Sequence, residues 1–231
     1  MKNFISSISI FRLVSKLIYF IAIEPLKRFP GSENYWKKRY LSRGTSGSGS
    51  YGKLATFKAD VLNYFVRENN VNSIIEYGCG DGNQLKLANY PHYIGFDISE
   101  NAISRCNEAF SKDDRKSFFL TKEYAEQTAD LTLSIDVIFH LIEDDVFFDY
   151  MSRLFDSSNK YVIIYSSNTE KQSLLQAKHV RHREFARWVS ENRPQWKLTE
   201  RISNKYPKKS FSDFYIYSKG ESGMNNYSCD T

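Results

Sequence analysis

Cysteine is scarce in this chain of 231 residues: Cys79, Cys106 and Cys229 are widely spaced and odd in number. No disulfide framework and no zinc-ligand spacing can be built from them, which points to a reducing, cytosolic compartment. A strong charge of one sign is lacking too. The net charge of +5 permits nucleic acid, membrane or anionic metabolites as partners and selects none of them. An unbroken apolar run of spanning length is also absent. Phe4 to Ile23 comes nearest, but Arg12 and Lys16 sit in its middle, each costing roughly 2.5–3.5 kcal/mol at a bilayer centre. They also interrupt the apolar region a signal peptide needs, and no small-residue cleavage site follows.

On a helix, Lys2, Ser9, Arg12 and Lys16 form one narrow cationic stripe in an apolar surface, a pattern suited to a membrane interface. The same surface suits packing on the domain or on a second subunit, and the sequence leaves the two readings open. The expected location is the cytoplasm, with this helix as the means of a peripheral place on the inner membrane face.

What is present is enough for one core. Apolar residues make up 41% of the chain and aromatics 16%, and the length suits a single α/β domain with a short extension. We read residues 1–30 as an N-terminal amphipathic extension, 31–219 as the main domain and 220–231 as a flexible tail. Pro25, Pro30 and Gly31 end the extension. A short aromatic and basic helix follows from Glu33 to Leu41. Then comes a Gly/Ser-rich loop, Ser42 to Gly52, which reads as a flexible connector ahead of an anion-binding concavity.

Leu54, Phe57, Val61, Leu62, Phe65 and Val66 recur at helical spacing and predict a helix to Glu68. Short strands are predicted at Ser73–Tyr77, His92–Phe96, Ser117–Leu120, Asp130–Ile135 and Tyr161–Tyr165. Helices are predicted around Leu85–Ala88, Ile103–Phe110 and Val146–Leu154, and a basic one over His182–Ser190. Two closing strands, Trp196–Arg201 and Phe214–Tyr217, have no long helix between them. Strands alternating with helices imply a doubly wound, mostly parallel seven-stranded sheet, the last pair adding an antiparallel edge strand.

The strongest local motif is E-Y-G-C-G-D-G, Glu76 to Gly82, where the first strand turns out of the sheet. Gly78, Gly80 and Gly82 let a ligand approach the backbone closely. Asp97, ending the second strand, is placed to accept hydrogen bonds from a ribose diol. The spacing G-x-G-x-G differs from the G-x-G-x-x-G that seats a pyrophosphate on a helix N-terminus. Glu76 beside the turn would repel a pyrophosphate and tolerate an ammonium group, which favours S-adenosylmethionine over a dinucleotide.

E-Y-G-C-G-D-G, then Y-I-G-F-D-I-S, then A-D-L-T-L-S-I-D-V-I-F-H-L together resemble three motifs of class I S-adenosylmethionine-dependent methyltransferases, over roughly Glu33 to Lys219. The resemblance implies a Rossmann-like fold and S-adenosylmethionine as cofactor. It also implies that Gly78, Gly80 and Gly82 hold the methionine end, while Asp97, with Ile98 beside it, holds the ribose. By the same match Ser134, Ile135 and the segment on to His140 line the methionine end and face the acceptor. Y-W-K-K-R-Y, Tyr35 to Tyr40, is similar to N-terminal helices that cap the cofactor, through Trp36 and Tyr40. Glu123 is the one nearby acid for the adenine position.

Nothing resembles the D-P-P-Y or N-P-P-Y tetrapeptide of amino-methylating nucleic-acid enzymes, and nucleic acid is not an expected partner. Asp136 and Asn168 follow strands four and five, but the second acid of the cation-dependent catechol type is missing, so no metal is expected. H-V-R-H-R-E-F-A-R-W, His179 to Trp188, puts His179 and His182 on one predicted helix face beside Arg181 and Arg183. A base and cations there suit deprotonating a hydroxyl beside an anion, and a solvated helix start suits the same residues. His140 is a third candidate base. The expected activity is metal-independent O-methylation of a small-molecule or surface-glycan-related acceptor, with Arg181 and Arg183 binding it. A methyltransferase-like module without activity, tethering partners at a membrane, and an NAD-dependent oxidoreductase are the alternatives.

Overall fold

A computed structural model describes residues 29–174 and 176–220. The chain divides into two compact units, Met1–Pro30 and Gly31–Thr231. The expected interfacial helix falls outside the described residues, as does almost all of the expected tail. Among the described residues no helix is long and apolar enough to cross a membrane.

The second unit is built on seven strands: β1 (Ser73–Tyr77), β2 (His92–Asp97), β3 (Lys116–Leu120), β4 (Ala129–Ile135), β5 (Ser158–Ser166), β6 (Trp196–Ile202) and β7 (Asp213–Lys219). Their order across the sheet is β3-β2-β1-β4-β5-β7-β6. All pairs from β3 to β5 are parallel, as the alternating pattern implied. β7 runs antiparallel to both β5 and β6, so the reversed strand lies one place inside the edge, and β6 is the edge.

Successive residues of β1 face opposite cores. Ile74 joins Leu62, Phe65, Leu131 and Leu133 on one side, and Ile75 joins Phe147, Met151 and Leu154 on the other. Among the described residues five helices accompany the sheet: α1 (Ser32–Leu41), α2 (Gly52–Glu68), α3 (Glu100–Ala109), α4 (Asp144–Asp156) and α5 (Phe185–Asn192). α2 buries Leu54, Ala55, Ala59, Leu62, Phe65 and Val66, with Lys58 among them. Ser99 caps α3 by accepting the Ala102 N–H.

Two predicted helices are corrected. Leu85–Leu87 forms a single 3-10 turn, and Ala88 is already extended. α2 occupies the space: its Asn63 holds the Leu87 carbonyl and the Asn89 N–H, which pulls the chain straight toward β2. The basic helix begins only at Phe185. The preceding residues spend their backbone groups sideways, Arg181 N–H on the Phe139 carbonyl and His182 N–H on Gln172 Oε1. His179 and His182 therefore lie in a loop and share no helix face.

Candidate active site

The carboxyl ends of β1, β2 and β4 open into a cavity of about 280 Å³, the usual place for ligands in an open parallel sheet. Its floor is the Gly-rich turn. Gly78 has φ +84°, and a Cβ there would sit 2.5 Å from Val137, so only glycine lets β4's exit close over this turn. Gly80, at φ +60°, lies under the Gly/Ser loop, where a Cβ would meet Ser46 Oγ at 2.4 Å.

Two buried carboxylates face this floor. Glu76 accepts one hydrogen bond, from Tyr93 Oη at 2.6 Å, and burial lifts its pKa to about 7. Asp97 accepts the Gly80 N–H on Oδ2 at 3.0 Å and the Ser99 N–H on Oδ1 at 2.9 Å, and burial lifts it to about 6. A desolvated acid short of partners is an invitation to a cation or a donor-rich ligand.

The Gly/Ser loop is a strap fastened over that floor rather than a free connector. Asp81 accepts the Ser46 N–H and Oγ–H at 3.1 and 2.7 Å and the Tyr51 hydroxyl at 3.0 Å. Arg105 of α3 reaches the carbonyls of Gly44 and Tyr40 at 2.7 and 2.8 Å. Tyr40 Oη and Ser46 Oγ are 2.9 Å apart, which ties α1 to the strap.

Of the expected cofactor residues, Trp36, Tyr40, Glu76, Gly78, Asp97, Ile98 and Ile135 all line the cavity. Gly80 and Gly82 stand behind its wall, Gly82 against Cys106 and Phe110. Ser134 lies beneath Tyr150, whose hydroxyl bridges Ser134 Oγ and the Tyr77 carbonyl at 2.7 and 3.0 Å. Thr121, directly after β3, lines the cavity. Glu123 turns back to accept the Leu120 N–H.

The three histidines separate. His140 lines the cavity, its ring edge-on to Trp36 at 4.8 Å. Its Nδ1 is 2.8 Å from the His179 carbonyl, which can only accept, so Nδ1 carries the proton and Nε2 keeps the lone pair. Burial pushes its pKa down to about 4. His179 forms no part of the cavity wall; it stacks on Tyr35 at 4.4 Å. His182 Nδ1 is engaged with Ser167 Oγ at 2.6 Å.

The arginines are engaged as well. Buried Arg183 donates to the carbonyls of Leu141 and Ile142 and to Asp144 Oδ1 at 2.6 Å. Half-exposed Arg181 donates to the Ile142 carbonyl at 2.8 Å and pairs with the same Asp144 at 3.0 Å. Both guanidiniums therefore brace the turn into α4, and neither lines the cavity.

Reasoning from sequence passed over one pair. Lys58, fully buried, holds Asp136 Oδ2 at 2.6 Å, and Asp136 lines the cavity. Asp136 has φ +59°, a strained place for a residue with a Cβ, typically costing about 1–3 kcal/mol. The signal was there to read: Leu54, Lys58 and Leu62 recur every fourth residue on the apolar face of α2, where a lysine has no place in an ordinary core.

A family model described as a methyltransferase domain matches residues 68–214. The chain belongs to this methyltransferase family. It is an S-adenosylmethionine-dependent enzyme, as the motifs implied, and the NAD-dependent alternative falls away. No curated protein matches the chain. Among solved structures it is similar to the N-methyltransferase NodS from Bradyrhizobium japonicum WM9, at TM-score 0.67 and 13% identity over 83% of this chain and 100% of that one. Magnesium protoporphyrin IX methyltransferase ChlM from Synechocystis PCC 6803 follows, at TM-score 0.61 and 13% identity over 84% of this chain and 100% of that one. Phosphoethanolamine N-methyltransferase 1 of Haemonchus contortus gives TM-score 0.61 and 14% identity over 82% of this chain and 48% of that one. At such identities the likeness is one of fold, and the acceptors named are those proteins' own.

Proposed function

We propose that this methyltransferase methylates a hydroxyl of a small-molecule or glycan-related acceptor, with His140 as the base. The observation that carries the reading is the Nδ1–H bond from His140 to the His179 carbonyl, which leaves Nε2 as a free acceptor on a ring lining the cavity. When bound, S-adenosylmethionine supplies a methyl group on a sulfonium, an electrophile with a neutral leaving group. Glu76 is suited to its ammonium, Asp97 to its ribose hydroxyls, and Trp36 and Tyr40 to covering it. The strap keeps water from the floor, and His140 Nε2 takes the hydroxyl proton as the acceptor oxygen is held in line.

The engagement of Arg181 and Arg183 with Asp144 removes the support for an anionic acceptor. The intact floor and the free imidazole nitrogen support activity over a binding-only role. A cytoplasmic place at the inner membrane face rests on the sequence of residues 4–23. The test is transfer of tritiated methyl from S-adenosylmethionine over free and lipid-linked sugars, nucleotide sugars, phenols and amines. Methylation confined to amines would sink the O-methylation reading.

A further inference from the structure

The pair formed by Lys58 and Asp136 is out of character with everything around it. Lys58 has no exposed surface, and its ammonium meets one carboxylate oxygen, Asp136 Oδ2, at 2.6 Å. Breaking the series on α2's apolar face with an ion pair gains little stability over a leucine there. Asp136 is itself clamped in a left-handed conformation, its N–H on the Tyr165 carbonyl at 2.9 Å. The strap closes over the paired oxygen: a Cβ at Gly49 would fall 2.8 Å from Oδ2. The other oxygen, Oδ1, accepts no hydrogen bond from a described side chain or backbone group, while the residue lines the cavity. Strain and a buried charge at a cavity wall mark a functional position.

His140 follows four residues on, also lines the cavity, and lies near enough for the Asp136 charge to act on its imidazole. The cavity thus has two acceptor atoms from one loop, the imidazole Nε2 and a carboxylate oxygen whose partner oxygen is held by Lys58. Because Lys58 already neutralises Asp136, a second ammonium brought to Oδ1 would sit against the first. A hydroxyl donates to Oδ1 without adding charge.

Resting on the reading above, we propose that Asp136 anchors a second hydroxyl of the acceptor, adjacent to the one His140 deprotonates, and that Lys58 is the positioning residue that fixes it. The acceptor class is a vicinal diol, as sugars and other polyols present.

The experiment uses the full chain loaded with S-adenosylhomocysteine and three matched probes: cyclohexane-1,2-diol, cyclohexanol and cyclohexylamine, titrated by NMR. In the wild type the diol should bind at least tenfold more tightly than cyclohexanol. Asp136→Asn and Lys58→Met should each abolish that preference while leaving the calorimetric affinity for S-adenosylhomocysteine within threefold. The double variant, which buries no charge, keeps the test available if Lys58→Met alone does not fold. Equal binding of diol and mono-alcohol, or preference for the amine, overturns the proposal. So does a joint loss of diol and S-adenosylhomocysteine affinity in folded variants, which would give the pair to the cofactor. A wild type that binds no S-adenosylhomocysteine would instead overturn the functional reading on which the proposal rests.

Discussion

The His179 carbonyl fixes the tautomer of His140 across a gap of 2.8 Å, joining the loop after β5 to the turn after β4. Replacing His140 with alanine should cut turnover by about 10²–10⁴ and leave S-adenosylhomocysteine affinity unchanged. Since burial lowers its pKa to about 4, the imidazole stays an unprotonated base well below the pH at which a free histidine is lost. The acid limb of the rate profile should therefore fall near pH 4 rather than 6.5. An acid limb at 6.5 would point away from His140.

Glu76 makes cofactor binding depend on pH. Its pKa of about 7 is raised by burial, so near neutrality part of the population carries a proton there. An incoming ammonium favours the ionised form, so binding expels the proton and affinity rises with pH until it levels above about 7. Calorimetry of S-adenosylhomocysteine between pH 5.5 and 8 should show this slope, and Glu76→Gln should flatten it. The same raised pKa acts on folding in the opposite sense. The folded state binds the extra proton, so this contribution to stability is full below the unfolded pKa and is lost as pH rises through about 7.

Asp97→Ala removes the acceptor proposed for the ribose. Two charge-assisted hydrogen bonds are worth about 1.5–3 kcal/mol each, so affinity for S-adenosylhomocysteine should weaken at least tenfold in a protein that still folds. Unchanged affinity in a folded variant would remove the assignment.

Asp81 sets how tightly the cap is fastened. Asp81→Ala releases Ser46 and Tyr51 from the turn. Stopped-flow dissociation of S-adenosylhomocysteine should quicken by about tenfold, the equivalent of one hydrogen bond to a charged group. Trypsin should also cut faster after Arg43. Identical dissociation rates would make the strap a static wall.

Arg183 and Arg181 differ in burial, and so should their variants. Arg183→Ala strands the Leu141 carbonyl and leaves the Ile142 carbonyl and Asp144 to Arg181 alone. Because Asp144 is exposed and keeps Arg181, the cost is that of the stranded carbonyl, about 1–3 kcal/mol, visible as a lower denaturation midpoint. Arg181→Ala, half exposed, should cost under about 1 kcal/mol. If Arg183→Ala kept full stability but raised the acceptor KM, the residue would belong to the acceptor after all.

Local pattern made much of this legible. β1 was readable to the residue, because an apolar run ending in Glu76 and glycine has few other shapes, and Asp97 followed from the strand it closes. The failures have one physical source. Leu85–Ala88 and His179–Arg183 have ordinary helical composition, but side chains distant in sequence, Asn63 and Gln172, hold their backbone groups. The Lys58–Asp136 pair spans 78 positions of sequence, beyond any periodicity, although the misplaced lysine was visible.

The placement of β7 bears on how the protein is made. It is the last of the seven strands in chain order, yet it fills the gap between β5 and β6. Tyr161 to Ser166 take their second row of backbone partners from residues 213–218. On the ribosome those groups have no native neighbour until the final strand emerges, and β6 has nothing to dock on. A chain halted before Asp213 would carry an open, strongly apolar sheet margin that invites pairing with other chains. Emergence of β7, rather than completion of any helix, is therefore the point at which the open margin of β5 is first covered.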